Sequence, residues 1–322
     1  MSTNSSIPLV DLTLWRSGST EERAALAATV DRALIESGFL MVSGHGVPPA
    51  LRAGIRDAAR EFFTLADKEP YTTAVGGRGW IPPGKEANGY LLGGEELPPD
   101  LKETFVSGYE FRSGDADVDA EWFMPNVWPT EVPALQELCV VYADAMRRLA
   151  AELLELLATA AGLEPTWFTD RCMQSPHSFN INRYPALNRT GPVAAGQYRI
   201  APHTDFGTIT ILDREAGYGG LQVCTREGEW IDAPVIPDAY TINIGDLMAR
   251  WTGDRWTSTM HRVLPPSPDA PDEELISLIF FFEANLEQLI ESFPPPLGRA
   301  HDYQPVTAGD YLRSRYAAIS VP

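Results

Sequence analysis

Three side chains in this 322-residue sequence have the types and spacing to hold a metal ion. His203 and Asp205 lie two apart in Ala201-Pro202-His203-Thr204-Asp205-Phe206-Gly207, immediately ahead of the alternating run Thr208-Ile209-Thr210-Ile211-Leu212. Residues two apart on a strand project to the same side, so this imidazole and this carboxylate can meet at one ion. They leave a facial site one ligand short. The natural third ligand is His261, in Thr257-Ser258-Thr259-Met260-His261-Arg262-Val263. The chain between Asp205 and His261 is long enough for several strands to return it to the site. Two imidazoles and one carboxylate on one face leave open positions for dioxygen and an organic molecule, the arrangement that suits iron(II) oxygen chemistry. A zinc hydrolase uses the same ligand types, and a metal-binding barrel without turnover would serve sensing or storage. Of the other histidines, His45 sits in a Gly-His-Gly turn and reads as structural, while His177 and His301 fall in expected loops without a role.

The elements that must position these residues are read from periodicity. After residue 176 short apolar runs alternate with turns: SFNINRYP, GTITIL, GGLQVC, EWIDAPV, AYTINIGD, HRVLPP and LISLIFFFEAN. Regularly spaced short strands are the pattern of a sandwich or barrel. Earlier, residues 7–12 and 39–43 read as strands. Helical spacing covers 20–37, 48–65 and 130–162, and a closing helix covers 307–318. Thr20 is placed to cap the first of these helices, with Arg23 where a capping box would have Glu. The Gly- and Pro-rich stretch 70–100 reads as loop. Helices first and strands later describe a mainly β fold with flanking α, the helices buttressing the β core. The whole chain reads as one domain: an N-terminal α/β portion (1–130), a β core carrying the metal site (176–290), and a C-terminal helix or lid (307–322).

Composition bounds the partners. A formal net charge of −19 repels nucleic-acid phosphates and anionic lipid, so neither is expected. Cys139, Cys172 and Cys224 are too few and too scattered for a disulfide framework and fit a reducing compartment. The N-terminus lacks the basic start and apolar run of a signal peptide, and no stretch approaches the roughly 20 apolar residues of a membrane helix. A cytoplasmic monomer acting on a small organic molecule is the expectation.

The segments APHTDFGTITIL, GGLQV and AYTINIGDLMARWTGDRWTSTMHRV occur in that order after IPLVDL, SGFLMVSGHGVP, DLKETFVSGYE and Asn126-Val127-Trp128-Pro129. Together the chain resembles, over nearly its whole length, the isopenicillin N synthase-like branch of the iron(II)/2-oxoglutarate-dependent dioxygenases. The resemblance implies a double-stranded β-helix (jelly-roll) core with helices packed outside. It implies iron(II) at His203, Asp205 and His261, 2-oxoglutarate as co-substrate and O2 as oxidant. It implies oxidation of a small molecule by hydroxylation, desaturation or cyclisation.

The same resemblance places the far carboxylate of 2-oxoglutarate against Asn182, Tyr184 and Ser277, with an Arg two residues before the Ser. Here that position is Leu275. An aliphatic side chain cannot pair with a carboxylate, and a buried charge left unpaired costs several kcal/mol. Another cation must then reach the pocket, with Arg199, Arg183 and Arg262 the candidates. Otherwise Tyr184, Ser277 and water hold the acid weakly, or the enzyme is an iron(II) oxidase that does not use 2-oxoglutarate. Arg199 shares strand parity with His203 and is expected to face the pocket, whereas Arg183, between Asn182 and Tyr184, is expected to face away. The loop 76–96, with Trp80 and Tyr90, and the helix 308–318 are the natural lids. Phe206 follows the candidate ligand Asp205 and is expected to point away from the site, while either Phe281 or the Phe280/Phe282 pair is expected to line the barrel interior.

Overall fold

The computed structural model describes residues 7–88, 98–217, 220–299 and 303–319. The chain opens with β1 (Leu9–Asp11), α1 (Leu12–Ser17), α2 (Thr20–Glu36) and β2 (Phe39–Ser43). Next come α3 (Pro49–Phe63), β3 (Gly79–Ile81), β4 (Glu103–Gly108) and α4 (Ala116–Trp122). The long α5 (Pro133–Ala160) leads into β5 (His177–Tyr184), α6 (Leu187–Thr190), β6 (Ile200–His203) and β7 (Ile209–Asp213). β8 (Leu221–Cys224), β9 (Trp230–Asp232) and β10 (Tyr240–Ile244) precede α7 (Asp246–Trp251), β11 (His261–Val263) and β12 (Leu275–Phe282). β13 (Leu289–Ile290), β14 (Val306–Thr307) and α8 (Ala308–Ile319) close the chain.

An eight-stranded sheet, ordered β1-β2-β10-β7-β12-β5-β4-β3, faces a four-stranded sheet, β6-β11-β8-β9. This is the jelly roll, extended at both edges by strands from the N-terminal part. Each face of the large sheet has its own apolar layer. Between the sheets lie Phe39, Met41, Tyr184, Ile200, Leu221, Val263 and Leu275. On the outer face Ile276, Leu278 and Phe280 pack with Leu34, Ile55, Phe62 and Leu153 from α2, α3 and α5. A strand buried on both faces shows no polar alternation, which is why β12 reads LISLIFFF. On it Phe281 lines the barrel, while Phe280 and Phe282 belong to the helix-covered layer.

Two local details depart from the sequence reading. The cap of α2 is Ser19 rather than Thr20, and it forms a complete capping box with Glu22. Three residues separate cap and Glu in that motif, so counting from Thr20 landed on Arg23. Inside the expected loop 70–100, β3 pairs with β4 and extends the large sheet. Tyr90 lies outside the described residues, as does His301.

Candidate active site

Antiparallel pairing of β6 and β11 sets His203 directly opposite His261, with ring centroids 4.3 Å apart. Asp205 lies two residues beyond β6, in a loop. That loop is held from above by the start of α7: the Asp246 amide donates to the Asp205 carbonyl at 2.8 Å, and the Leu247 amide to Phe206 and Gly207 carbonyls at 3.1 Å. The approach needs Gly245, since a methyl group there would come 2.3 Å from the Gly207 oxygen. The result brings one donor atom each from His203, Asp205 and His261 within 4.8 Å of one another.

The remaining polar atoms of the three side chains are already engaged. Nδ1 of His203 bonds the Ala201 carbonyl at 2.8 Å, and Nδ1 of His261 bonds the Thr259 carbonyl at 3.0 Å. An imidazole that donates from Nδ1 to a carbonyl presents the lone pair of Nε2. Both Nε2 atoms lie 3.7 Å from Oδ1 of Asp205. Oδ2 of Asp205 accepts from Thr210 at 2.6 Å and from Asn243 at 2.7 Å, which leaves Oδ1 facing the imidazoles. Burial alone would raise the Asp205 carboxyl, but His261, His203, Asn243 and Thr210 together hold it below the ordinary range. Burial, followed by the neighbouring His261, lowers His203, so it stays neutral. Neutral imidazoles and an ionised carboxylate are the protonation states a metal requires. The set fits iron(II), with two nitrogens and one oxygen from one side.

Two cavities meet at this cluster. A narrow one of about 70 Å³ runs between the sheets, past Thr210, Asn182, Tyr184 and Ser277. A wider one of about 450 Å³ opens outward past Arg78, Asn180, His177, Phe206, Glu283 and Tyr316. His203, Asp205 and Phe281 line both.

Comparison with known proteins agrees with this geometry. Residues 7–131 match the family described as non-haem dioxygenase in morphine synthesis N-terminal, and residues 176–284 match the 2OG-Fe(II) oxygenase superfamily. The chain is 41% identical to Validamycin A dioxygenase of Streptomyces hygroscopicus subsp. limoneus, over 95% of this chain and 85% of that one. The chain belongs to the 2OG-Fe(II) oxygenase superfamily.

It is also 32% identical to a 2-oxoglutarate-dependent dioxygenase of Monascus ruber, across 89% of this chain and 88% of the relative. Among solved structures, a 2OG-Fe(II) oxygenase family protein from Caulobacter crescentus superimposes with a TM-score of 0.84 at 27% identity, covering 98% of this chain and 100% of that one. A full-length Neurospora crassa protein crystallised in complex with alpha-KG gives 0.81 at 26% identity, over 97% and 96%. The protein is therefore an iron(II)/2-oxoglutarate-dependent dioxygenase, with iron(II), 2-oxoglutarate and O2 as its reactants and cofactors.

Within this oxygenase the residues expected from sequence fall into two groups. Asn182, Tyr184 and Ser277 line the narrow cavity beside His203, Asp205 and His261. Arg199 does not. Its guanidinium is buried and pairs with Glu273 at 3.3 Å, behind the ring of Tyr184. The parity count failed because β6 carries a bulge: His203 opposes His261 and Ile200 opposes Val263, three steps against two. A bulge shifts which residues face inward, so Ile200 rather than Arg199 or Ala201 lines the cavity with His203. Arg183 faces away as expected, paired with Glu103 at 2.7 Å and with Glu274 at 2.5 Å. Arg262 is bound to Gln222 and lies over Trp230, on the outer side of the small sheet. Trp80 is turned from the wide cavity, its indole donating to Glu103 at 2.7 Å.

Several lining residues were missed. Arg214, one step past β7, lines the narrow cavity. Its signal was present, since Thr210, Leu212 and Arg214 share parity. In the wide cavity Arg78 occupies space left by Gly108, where a methyl group would meet the guanidinium at 2.2 Å. His177 is buried at the start of β5, stacked on Tyr109 and bonded to Arg147 at 3.2 Å. Burial and then Asp205 push the Glu283 carboxyl up to about 8. Glu283 shares parity with the inward-facing Ser277, Ile279 and Phe281 of β12, whereas no local pattern marks Arg78 or His177. His45 touches neither cavity. It packs on Tyr240 and accepts from the Val47 amide at 3.1 Å, as a structural residue would.

Proposed function

We propose that His203, Asp205 and His261 hold iron(II) through Nε2, Oδ1 and Nε2, and that the enzyme oxidises a small polar organic molecule in the wide cavity. The observation carrying this is the division of labour among the ligand atoms: each of the three side chains has one donor turned to the common point and its other polar atom tied down. When bound, iron(II) supplies oxygen activation coupled to decarboxylation of 2-oxoglutarate. The chain's own residues do the rest. Asn182, Tyr184 and Ser277 offer donors to the co-substrate in the narrow cavity. Arg78, which burial lowers and which no carboxylate of the described residues neutralises, offers a charged donor to the substrate. Glu283, His177 and Asn180 add polar groups beside it, and Phe206, Phe281 and Tyr316 supply flat apolar surface. A site of this size and mixture suits a small molecule.

The relative named Validamycin A dioxygenase makes validamycin A the first compound to test. With iron(II), O2 and 2-oxoglutarate, one succinate should form per substrate oxidised. Oxidation without succinate would overturn the proposal. His203→Ala and Asp205→Ala should each lose turnover by more than about 1000-fold while retaining the native circular dichroism. Retained activity in either would refute the ligand assignment. The proposal extends to the whole chain working as one cytoplasmic unit, a monomer. Three free cysteines agree with a reducing compartment, and sedimentation at micromolar concentration tests the oligomeric state. No helix among the described residues is long and apolar enough to cross a membrane.

A further inference from the structure

We propose that Arg214 is the cation that holds the far carboxylate of 2-oxoglutarate, reaching the narrow cavity from β7 because the neighbouring strand β12 presents Leu275 there. The inference rests on the co-substrate reading above and adds the residue that reading lacks. A dicarboxylic keto acid bound between two sheets brings a second negative charge into an apolar space. That charge needs a positive partner or several donors. Among the described residues lining the narrow cavity, Arg214 is the single Arg or Lys side chain.

Its position matches the need. Thr210, Leu212 and Arg214 point inward in alternation from β7. β7 runs antiparallel to β12 with Asp213 opposite Leu278, so one further step along both strands sets Arg214 beside Ser277. Leu275 is opposite Tyr184 across β5. A methyl on Gly217 would lie 2.8 Å from Leu275 Cδ2, so the chain leaving Arg214 packs directly on that leucine. Arg214, Ser277 and Tyr184 thus close one end of the cavity, and the metal-ligand cluster lies along it.

Its charge is also available. The guanidinium donates from Nη2 to the carbonyls of Pro234 and Ala233, which orient it without neutralising it. No carboxylate of the described residues pairs with it, and burial, only partly countered by Tyr184, pushes it down to about 10. The other nearby cations differ in this respect. Arg199 is matched by Glu273, and Lys102 by Glu86.

The test is equilibrium binding without O2. Iron(II)-loaded protein is titrated with 2-oxoglutarate and with 2-oxopentanoate, which has the same keto acid head and a methyl in place of the far carboxylate. The visible charge-transfer band and calorimetry with manganese(II) both report binding. The wild type should prefer 2-oxoglutarate by about 30-fold, the size of one charge-assisted contact. Arg214→Leu should erase that preference and leave 2-oxopentanoate and iron(II) affinities unchanged. Adding Leu275→Arg to that variant should restore most of it. Arg214→Gln, which keeps donors for the two carbonyls, serves as the second loss-of-charge variant should the leucine form not fold. A folded Arg214→Leu or Arg214→Gln that binds 2-oxoglutarate within about threefold of wild type overturns the assignment alone. A wild type that binds neither keto acid overturns the co-substrate reading and this inference with it.

Discussion

Oδ2 of Asp205 is held by Thr210 and Asn243, both from inward faces of the large sheet. These contacts fix which oxygen meets the imidazoles, so their loss should act on the metal rather than on the fold. Asn243→Ala should weaken iron(II) binding by roughly 10- to 100-fold, read by titration with the metal, with turnover recovering at saturating iron. Unchanged affinity would show that Asn243 has no part in positioning the carboxylate. Arg78 belongs to the wider cavity. Arg78→Leu should raise the substrate KM by at least about tenfold and leave the anaerobic 2-oxoglutarate band intact. A disturbed band in that variant would place Arg78 with the co-substrate instead. Both residues lie in runs, AYTINIGD and GGRGW, where nothing local separates a lining residue from a packing one.

At the scale of elements, α7 and the loop 205–207 act as one piece. Amides at the start of α7 bind the loop carbonyls, and Gly245 permits their approach. A methyl at Gly245 must push the loop away, so Gly245→Ala should cost roughly 1–3 kcal/mol in denaturant unfolding. It should weaken iron(II) binding as well, because Asp205 moves with the loop. Stability lost with metal affinity unchanged would uncouple the two. The site's β elements were legible as short apolar runs set between turns, since β5, β7, β8, β10 and β12 fall where those runs predict them. The bulge in β6 was not. It obeys no sequence period, and it reversed the expected direction of Arg199.

In the whole molecule the site lies between layers that cohere without metal. One apolar core fills the barrel and a second joins the large sheet to α2, α3 and α5. Chelation should therefore abolish turnover and leave the far-ultraviolet dichroism unchanged, with iron(II) restoring activity. Unfolding on chelation would make the metal part of the scaffold. Acid should act differently. His177 is buried among Tyr109, Phe280 and Arg147, and burial followed by Arg147 and Arg78 hold it well below its ordinary value. The unfolded chain then takes up a proton that the native chain refuses. This contribution to stability is full above about pH 6.5 and is lost by up to roughly 1.4 kcal/mol per pH unit as the pH falls below that value. His177→Gln should flatten that slope between about pH 6.5 and 5. An unchanged slope would assign the acid sensitivity elsewhere.

The sequence by itself determined the candidate ligand types, most of the strands around them and the apolar layers on either side of the sheet. Each of these is written in local chemistry and in periods of two or 3.6 residues. Tertiary structure decided which charges enter the cavities. Arg199 is withdrawn by a bulge and matched by Glu273, while Arg78, just before β3, and Arg214, just after β7, line the cavities without a carboxylate partner among the described residues. A guanidinium's partner is whichever carboxylate the folded chain brings within reach, and no short-range pattern encodes that distance.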